Sequence, residues 1–278
     1  MQAEQITDPA THHGEGPIWD GAARRLMWVD LLRGDVLSMA PGVGTIERLH
    51  VSEVAACIVP RTMGGWVVAT ERSFAVLDED GVIDTLADLW SDATIRMNDG
   101  ACDPRGRFFC GSMAYDAAAR KGALYRLDPD RSVRVVRSGV TNSNGIDWSP
   151  DGKAAYYIDS ATHRVDVCSA DLELTHPFLH VSAELGMPDG LTVDADGGIW
   201  VALWGGGAVH RYTAEGTLDT VVRLPVRQPT SCVFGGDDLN TLFITTSALD
   251  LEDPEPEAGA IFAVQPGVRG LPTRAYAG

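Results

Sequence analysis

The stretch SNGIDWSPDGKAAYYID (143–159) is followed 45 residues later by PDGLTVDADGGIWVALW (188–204), and both read as apolar strand, turn and second apolar strand. The same turn signal starts near residues 19, 59, 103, 149, 194 and 235, at steps of 40, 44, 46, 45 and 41 residues. Four short strands in each unit of this length are typical of a blade of a β-propeller. The sequence therefore predicts an all-β protein built as a six-bladed β-propeller.

The last unit is one strand short. It contains the strands SCVF, TLFITT and GAIFAV, whereas a polar strand from Glu4 to Thr7 precedes the first unit and belongs to none. We predict that this N-terminal strand completes the sixth blade and closes the ring, because closure protects the edges of the sheets. Each blade would then lean on its neighbours, so we expect a single domain spanning residues 1–278.

The charge balance excludes several classes of partner. The chain has 22 Lys and Arg against 39 Asp and Glu, a formal net charge of −17. That charge repels nucleic acid and anionic membrane surfaces. No apolar run approaches the ~18 residues of a membrane span, and the N-terminus lacks the pattern of a signal peptide. Five cysteines without a CxxC motif do not indicate a disulfide framework. We expect a cytoplasmic monomer.

Polar residues recur at the start of the predicted innermost strands, which line the channel of a propeller. Five residues before the turn residue, four of the six units hold Glu15, Asn98, Asn144 and Asp189, and the other two hold Ala55 and Ser231. Carboxylates that meet on one axis repel each other unless a cation lies between them. Carboxylate and amide oxygens suit hard divalent cations. The register therefore predicts an axial cation site; the alternative is that these residues only form turns.

Six segments also occur in a specific order and spacing: GEGPIWD (14–20), RMNDGACDPRG (96–106), GSMAY (111–115), SNGIDWSPDG (143–152), MPDGLTVDADGGIWVALWGGG (187–207) and PEAGAIFAV (256–264). Together they resemble the family of senescence marker protein 30 (regucalcin), gluconolactonase and related sugar lactonases. The resemblance implies a six-bladed propeller that holds one divalent cation, with Ca²⁺, Zn²⁺, Mn²⁺, Mg²⁺ and Fe²⁺ all open. It also implies hydrolysis of a small sugar lactone to the open acid.

The resemblance assigns the cation to three of the four register positions. It implies that Glu15, Asn144 and Asp189 are the metal ligands. We expect Asp189 to be catalytic as well, because a carboxylate that touches both the metal and a water can act as the general base.

Two further residues are implied to contact the substrate, namely Arg96 and Asn98 in the RMNDG segment. One position departs from the family pattern. Animal members resemble GTMAE, with an acid in the substrate region, where this chain has Tyr115. We include Tyr115 as a substrate-binding residue of the pocket, but a neutral phenol in place of a carboxylate means that the sugar preference of those members does not carry over.

Two other functions stay open at this point. The same axial site could hydrolyse another lactone or a (phospho)ester, because a fold does not determine a reaction. Alternatively, the chain could be a calcium-binding propeller without catalysis. The polar set around Arg96 exceeds what a scaffold requires, which favours an enzyme.

Two more residues near the motifs, Asp99 and Trp204, have two interpretations each. Asp99 either supports Arg96 and the metal site or is a turn acid. Trp204 either stacks on a sugar ring or fills space between blades. We interpret the pair His12 and His13 as loop residues, because neighbours in an extended segment point to opposite faces.

Overall fold

The computed structural model describes residues 1–42, 44–173 and 175–278, and in this part of the chain 24 strands form six antiparallel four-stranded sheets. The innermost strands of the six blades are β2 (Gly14–Asp20), β6 (Cys57–Pro60), β10 (Ile95–Cys102), β14 (Ser143–Trp148), β18 (Met187–Val193) and β22 (Pro229–Gly235). Each of these strands contacts the innermost strand of the next blade, and β22 contacts β2. The ring is therefore closed, and the six-bladed propeller is confirmed.

The other strands follow outward in each blade. The second strands are β3 (Arg25–Asp30), β7 (Trp66–Ala69), β11 (Phe108–Ala114), β15 (Ala154–Asp159), β19 (Ile199–Trp204) and β23 (Thr241–Thr246). The third strands are β4 (Asp35–Met39), β8 (Phe74–Leu77), β12 (Gly122–Leu127), β16 (Arg164–Ser169), β20 (Ala208–Tyr212) and β24 (Phe262–Val264). The outer strands of the first five blades are β5 (Glu47–His50), β9 (Ile83–Thr85), β13 (Val133–Val140), β17 (Thr175–His180) and β21 (Leu218–Arg223).

The sixth blade is completed by the N-terminal strand β1 (Glu4–Gln5), which pairs with β24 as the sequence predicted. The strand is shorter than the predicted span from Glu4 to Thr7. Three single-turn 3-10 helices complete the regular structure of the described residues: Leu31–Arg33, Ser160–Thr162 and Ala183–Leu185. No helix in that part of the chain has the length and apolar character needed to cross a membrane.

Aromatic pairs join neighbouring blades. Ring centroids lie 5.3 Å apart for Phe74 and Phe108, 5.4 Å for Phe109 and Trp148, 5.7 Å for Trp200 and Phe234, and 5.9 Å for Trp19 and Phe243. Each pair spans two blades and is buried. Because the strands alternate their side chains, one face of each sheet meets the next blade and forms a continuous core. These contacts hold the innermost strands at a set distance from the axis.

The innermost strands are irregular where the candidate ligands stand. Register shifts against the second strand lie between Glu15 and Ile18, Met97 and Gly100, Ser143 and Ile146, Pro188 and Leu191, and Pro229 and Ser231. Strand β6 pairs with β7 in continuous register, and its equivalent position holds Ala55. A β-bulge leaves one residue unpaired with the neighbouring strand and changes the direction in which a side chain points. The bulges thus coincide with the polar positions on the axis.

A segment near the C-terminus, residues 269–278, ties all six blades together at the end of the channel opposite the candidate ligands. Its hydrogen bonds reach Ala195, Leu239, Trp19, Asp147, Pro60 and Gly106, one residue from each blade, at 2.7–2.9 Å. Tyr276 is fully buried, and its hydroxyl donates to the backbone oxygen of Asp128 at 2.7 Å. No repeat or turn signal in the sequence predicts this strap.

We expect that Tyr276→Ala lowers the free energy of unfolding by about 3–5 kcal/mol, because it leaves a cavity beneath three blades. Tyr276→Phe keeps the ring and should cost only about 1 kcal/mol for the lost hydrogen bond. Urea unfolding followed by tryptophan fluorescence measures both. Equal stability of Tyr276→Ala and the wild type would show that the strap does not hold the ring.

Candidate active site

The four polar register positions meet at the axis. Glu15, Asn98, Asn144 and Asp189 are each at most 6% exposed. The amide nitrogen of Asn98 lies 3.2 Å from the amide oxygen of Asn144, and the side chain of Asn144 is close enough to Asp189 to influence the pKa of its carboxyl group. Glu15 is close enough to Asp189 to raise its pKa. The structure therefore brings together the residues that the register and the family resemblance single out.

Local backbone geometry turns these side chains inward. Gly16, directly after Glu15, has φ of +49°, a conformation that other residues rarely adopt. A Cβ at this position would also lie 3.1 Å from the backbone of Cys57 in the next blade. The backbone nitrogen of Gly16 donates to the Glu15 carboxylate at 3.1 Å. Glycine is therefore required where β2 bends beside its candidate ligand.

Hydrogen bonds fix the two amides. The amide nitrogen of Asn98 donates to the backbone oxygen of Ser143 at 2.9 Å, and its oxygen accepts from the Nη1 of Arg96 at 2.6 Å. The amide nitrogen of Asn144 donates to the hydroxyl of Ser160 at 2.9 Å. Because a carbonyl oxygen has two lone pairs, the Asn144 oxygen can accept from Asn98 and still bind a cation.

The site buries more negative than positive charge. Burial raises the pKa of the Asp189 carboxyl well above its usual range, and the neighbouring Glu15 and Asp99 raise it further. Burial, and then Asp99, raises the pKa of Glu15 to about 8. The guanidinium of Arg96 supplies one positive charge beside Glu15 and Asp189, and in the part of the chain that the structure describes its buried Nε has no hydrogen-bond partner.

This imbalance fits a divalent cation. Buried carboxylates are stable only when they are paired or bind a metal. Among the described residues, no group of three or more His, Cys, Asp or Glu side chains is arranged to hold a metal ion. The ligand set that fits is therefore mixed, with Glu15 and Asp189 as acids and Asn144 as an amide, and such oxygen ligands suit hard cations.

Asp99 lies beside the axis, and its side chain is held by a hydrogen bond within the β-bulge between Met97 and Gly100. It is 9% exposed, and its carboxylate accepts from the backbone nitrogen of Gly100 at 2.7 Å. Burial raises its pKa to about 6. Its charge adds to the negative field on Asp189 and Glu15, which gives it an electrostatic effect on the site in addition to its place in the turn.

Tyr115 lies at the rim next to Arg96. Its ring centroid is 5.8 Å from the Cζ of Arg96, and its hydroxyl donates to the Oε1 of Glu71 at 2.7 Å. Glu71 comes from the loop between β7 and β8, in the blade without an oxygen-bearing register position. Glu71 is not predicted by the sequence, because nothing in the local pattern connects this loop with the third blade.

His13, directly before β2 of the first blade, contacts Trp204 at the end of β19 in the fifth blade. His13 is 5% exposed; its ring centroid lies 5.7 Å from that of Trp204 at 89°, and its Nδ1 is 2.9 Å from the hydroxyl oxygen of Ser247. Burial, followed by the charges of Arg96 and His12, lowers the pKa of His13 to about 3. His13 is therefore a buried residue of the site and not an exposed loop residue. It lies two positions before Glu15, so in an extended segment both side chains point to the same side. That spacing is the sequence feature from which its burial beside the site could have been predicted.

The comparisons with known proteins agree with this architecture. A family model described as SMP-30/gluconolactonase/LRE-like region matches residues 13–248. Regucalcin of Danio rerio is 35% identical over 292 residues, covering 100% of this chain and 99% of that protein. A luciferin-regenerating enzyme has a TM-score of 0.91 at 30% identity and covers 99% of both chains. The calcium-binding protein regucalcin from Agrobacterium tumefaciens has a TM-score of 0.93 at 26% identity, covering 99% of this chain and 97% of that one. The chain belongs to the SMP-30/gluconolactonase family.

The raised carboxyl pKa values predict how stability depends on pH in chelator-treated protein. A group whose pKa is higher in the folded state stabilises fully below its unfolded pKa of about 4, and this contribution is lost as the pH rises through the folded pKa. Between pH 5 and 8 the free energy of unfolding should therefore fall by about 1 kcal/mol or more beyond the fall in Asp189→Asn. Urea unfolding at several pH values measures the difference.

Asp196→Asn is the matched control, because Asp196 is an exposed aspartate in a turn of the same blade. It should follow the wild-type curve. Parallel curves for the wild type and Asp189→Asn would contradict the assignment of buried, mutually repelling carboxyl groups.

Proposed function

We propose that this chain is a divalent-cation-dependent hydrolase that opens sugar (aldono-)lactones to aldonic acids, in the manner of a gluconolactonase. The observation that carries the proposal is the axial cluster of Glu15, Asn144 and Asp189 with Arg96 beside it, all buried in one contact network. Membership of the SMP-30/gluconolactonase family supports the reaction class. The proposed substrate is a small neutral lactone, and the proposed state of the protein is a cytoplasmic monomer.

Glu15, Asp189 and the amide oxygen of Asn144 would hold the cation. When bound, a divalent cation supplies polarisation of the lactone carbonyl and a lower pKa for a bound water. Its identity among Ca²⁺, Zn²⁺, Mn²⁺, Mg²⁺ and Fe²⁺ is open, because oxygen ligands serve all of them to some degree. The regucalcin from Agrobacterium tumefaciens is described as calcium-binding, which makes Ca²⁺ the first ion to test.

Asp189 is the proposed general base. Its carboxylate is buried on the axis, next to the side chain of Asn144. In the reaction it would take the proton of the attacking water as the oxygen adds to the lactone carbonyl. It would then return a proton to the ring oxygen as the carbon–oxygen bond of the lactone breaks. A positioned base of this kind contributes about 10²- to 10⁴-fold in rate.

Arg96 is the proposed partner of the developing oxyanion or of a ring hydroxyl. Its Nη1 is engaged by the backbone oxygen of Met97 at 3.0 Å and by Asn98 at 2.6 Å, which orients the planar guanidinium. The buried Nε has no hydrogen-bond partner among the described residues. Charge-assisted hydrogen bonds from a fixed guanidinium stabilise developing negative charge.

Asn98 lies between Arg96 and Asn144 and contacts both. Its oxygen accepts from Arg96, and its nitrogen donates to Ser143 and lies 3.2 Å from the oxygen of Asn144. It therefore links the proposed oxyanion donor to a proposed metal ligand. We propose that Asn98 mainly positions these two residues, whereas a direct contact with substrate would require it to exchange one of these bonds.

Asp189→Ala should lose nearly all lactone hydrolysis, by about 10²-fold or more, because it removes both a ligand and the base. Acid release in weakly buffered solution measures the rate, and calorimetric titration measures the cation affinity. Asp196→Ala, at the exposed turn of the same blade, should retain wild-type turnover. Wild-type turnover in Asp189→Ala would contradict the mechanism.

Arg96→Gln separates the enzyme from a calcium-binding scaffold. Because Arg96 is not a proposed ligand, the variant should bind the cation at least as tightly as the wild type while kcat/KM falls by about 10²- to 10³-fold. The same two measurements apply. An unchanged kcat/KM would contradict the role proposed for Arg96, and cation binding without any hydrolysis in the wild type would favour the scaffold.

The direct test uses chelator-treated protein refilled with single divalent cations and a panel of pentono- and hexonolactones. Cation-restored hydrolysis above the spontaneous rate supports the proposal and identifies cation and sugar together.

Two alternative functions each have a specific observation in their favour. Similarity to a protein described as calcium-binding favours a non-catalytic propeller, which predicts tight one-to-one binding without hydrolysis of any ester. Similarity to a luciferin-regenerating enzyme shows that the family extends beyond gluconolactonases, so another lactone or a (phospho)ester would be tested next.

A further inference from the structure

The rim of the site holds a pair of residues whose hydrogen bond has a defined direction. Tyr115 follows β11 and is 45% exposed. Its hydroxyl donates to the Oε1 of Glu71 at 2.7 Å. The other carboxylate oxygen, Oε2, lies 3.4 Å from the Nε of Arg72. Because a carboxylate only accepts hydrogen bonds, the phenol proton is committed to Glu71.

The loop that carries Glu71 is attached to the site. The backbone oxygen of Glu71 accepts a hydrogen bond at 2.8 Å from the backbone nitrogen of Met97, which lies between Arg96 and Asn98 on β10. The ring of Tyr115 lies beside the Arg96 guanidinium, 5.8 Å from its Cζ. A contact between the second and third blades thus holds the phenol at the edge of the proposed substrate pocket, adjacent to the residue proposed to bind the oxyanion.

The phenol oxygen consequently offers only an acceptor to whatever docks at this edge. Burial and the neighbouring Glu71 raise the pKa of Tyr115, so the phenol stays protonated. A hydroxyl group of a bound molecule can donate to this oxygen. A carboxylate, phosphate or carbonyl group cannot, since it brings another acceptor.

We propose that Glu71 is a specificity-determining positioning residue: by holding the Tyr115 proton it makes the rim an acceptor-only contact, which selects substrates that present a hydroxyl there and rejects substrates that present an anionic group. This inference rests on the proposed lactonase function and narrows its substrate class to hydroxylated lactones that are uncharged at that position. It also separates the roles of the two residues, since Tyr115 touches the substrate and Glu71 acts through Tyr115.

The test compares kcat/KM for a parent aldonolactone with kcat/KM for each of its monodeoxy analogues. A change that harms folding or the chemical step lowers both rates alike, so their ratio reports the contact itself. Three variants probe the pair: Tyr115→Phe keeps the ring and removes the oxygen, Glu71→Ala releases the phenol proton, and Glu71→Gln keeps an acceptor oxygen. Glu79→Ala is the matched control, because Glu79 is an exposed glutamate in the turn between β8 and β9, at the opposite end of the same blade.

For the wild type we expect a five- to tenfold preference for the parent lactone over the analogue that lacks one particular hydroxyl, the range typical of one hydrogen bond. The preference should fall below twofold in Tyr115→Phe, which lacks the oxygen. It should fall only in part in Glu71→Ala, where the phenol remains but is no longer fixed as an acceptor. At least half of it should persist in Glu71→Gln, and it should be unchanged in Glu79→Ala. Cation affinity should be unchanged throughout.

Two results would overturn the inference alone: a wild type that hydrolyses parent and deoxy lactones equally well, or a Tyr115→Phe variant that retains the wild-type preference at every position. A wild type that hydrolyses no lactone with any cation would overturn the proposed function and this inference together. The outcomes therefore distinguish a failure of the rim contact from a failure of the reaction class.

Discussion

The repulsion between the buried carboxyl groups of Glu15, Asp99 and Asp189 is the constraint on which the centre of this molecule depends. Each group is less than 10% exposed, and burial favours its protonated form. At Glu15 and Asp189 the neighbouring carboxyl groups add to this effect. One guanidinium cannot balance three carboxylates at neutral pH. A protein that only needed a closed ring would fill this axis with apolar side chains, as the second blade does with Ala55. The polar axis is thus a costly feature that a bound cation would stabilise.

The propeller supplies what this arrangement requires. Innermost strands from different blades converge on one axis, and a β-bulge at each polar position directs an oxygen toward the centre. Aromatic pairs between blades and the strap over residues 269–278 hold neighbouring blades together around this axis. The ligand end of the channel carries the rim residues, and the other end is covered by the strap. The strap therefore stabilises one end of the channel, and a substrate would enter the site from the other end.

Features that repeat along the chain could be predicted from the sequence, and features that depend on contacts between blades could not. The turn spacing predicted six blades, and the missing strand of the last unit predicted closure by β1. The register also found Glu15, Asn98, Asn144 and Asp189, because equivalent positions of a repeat meet at the axis. Glu71 and the strap were missed because each reaches another blade through a segment without periodicity. The occupied hydrogen bonds of Asn98, which alter its proposed role, depend on distances that no sequence pattern contains.

The central claim is that the axial carboxyl groups are held for a cation, and calorimetric titration of chelator-treated protein with Ca²⁺ near pH 6, repeated in buffers of different ionisation enthalpy, tests it most directly. Because the pKa values of Glu15 and Asp189 are raised in the cation-free protein, a cation must displace protons to bind there. The account predicts one Ca²⁺ per chain, bound with the release of at least about half a proton at this pH, and loss of both signals in Asp189→Asn. Binding without proton release, or binding that survives in Asp189→Asn, would contradict it.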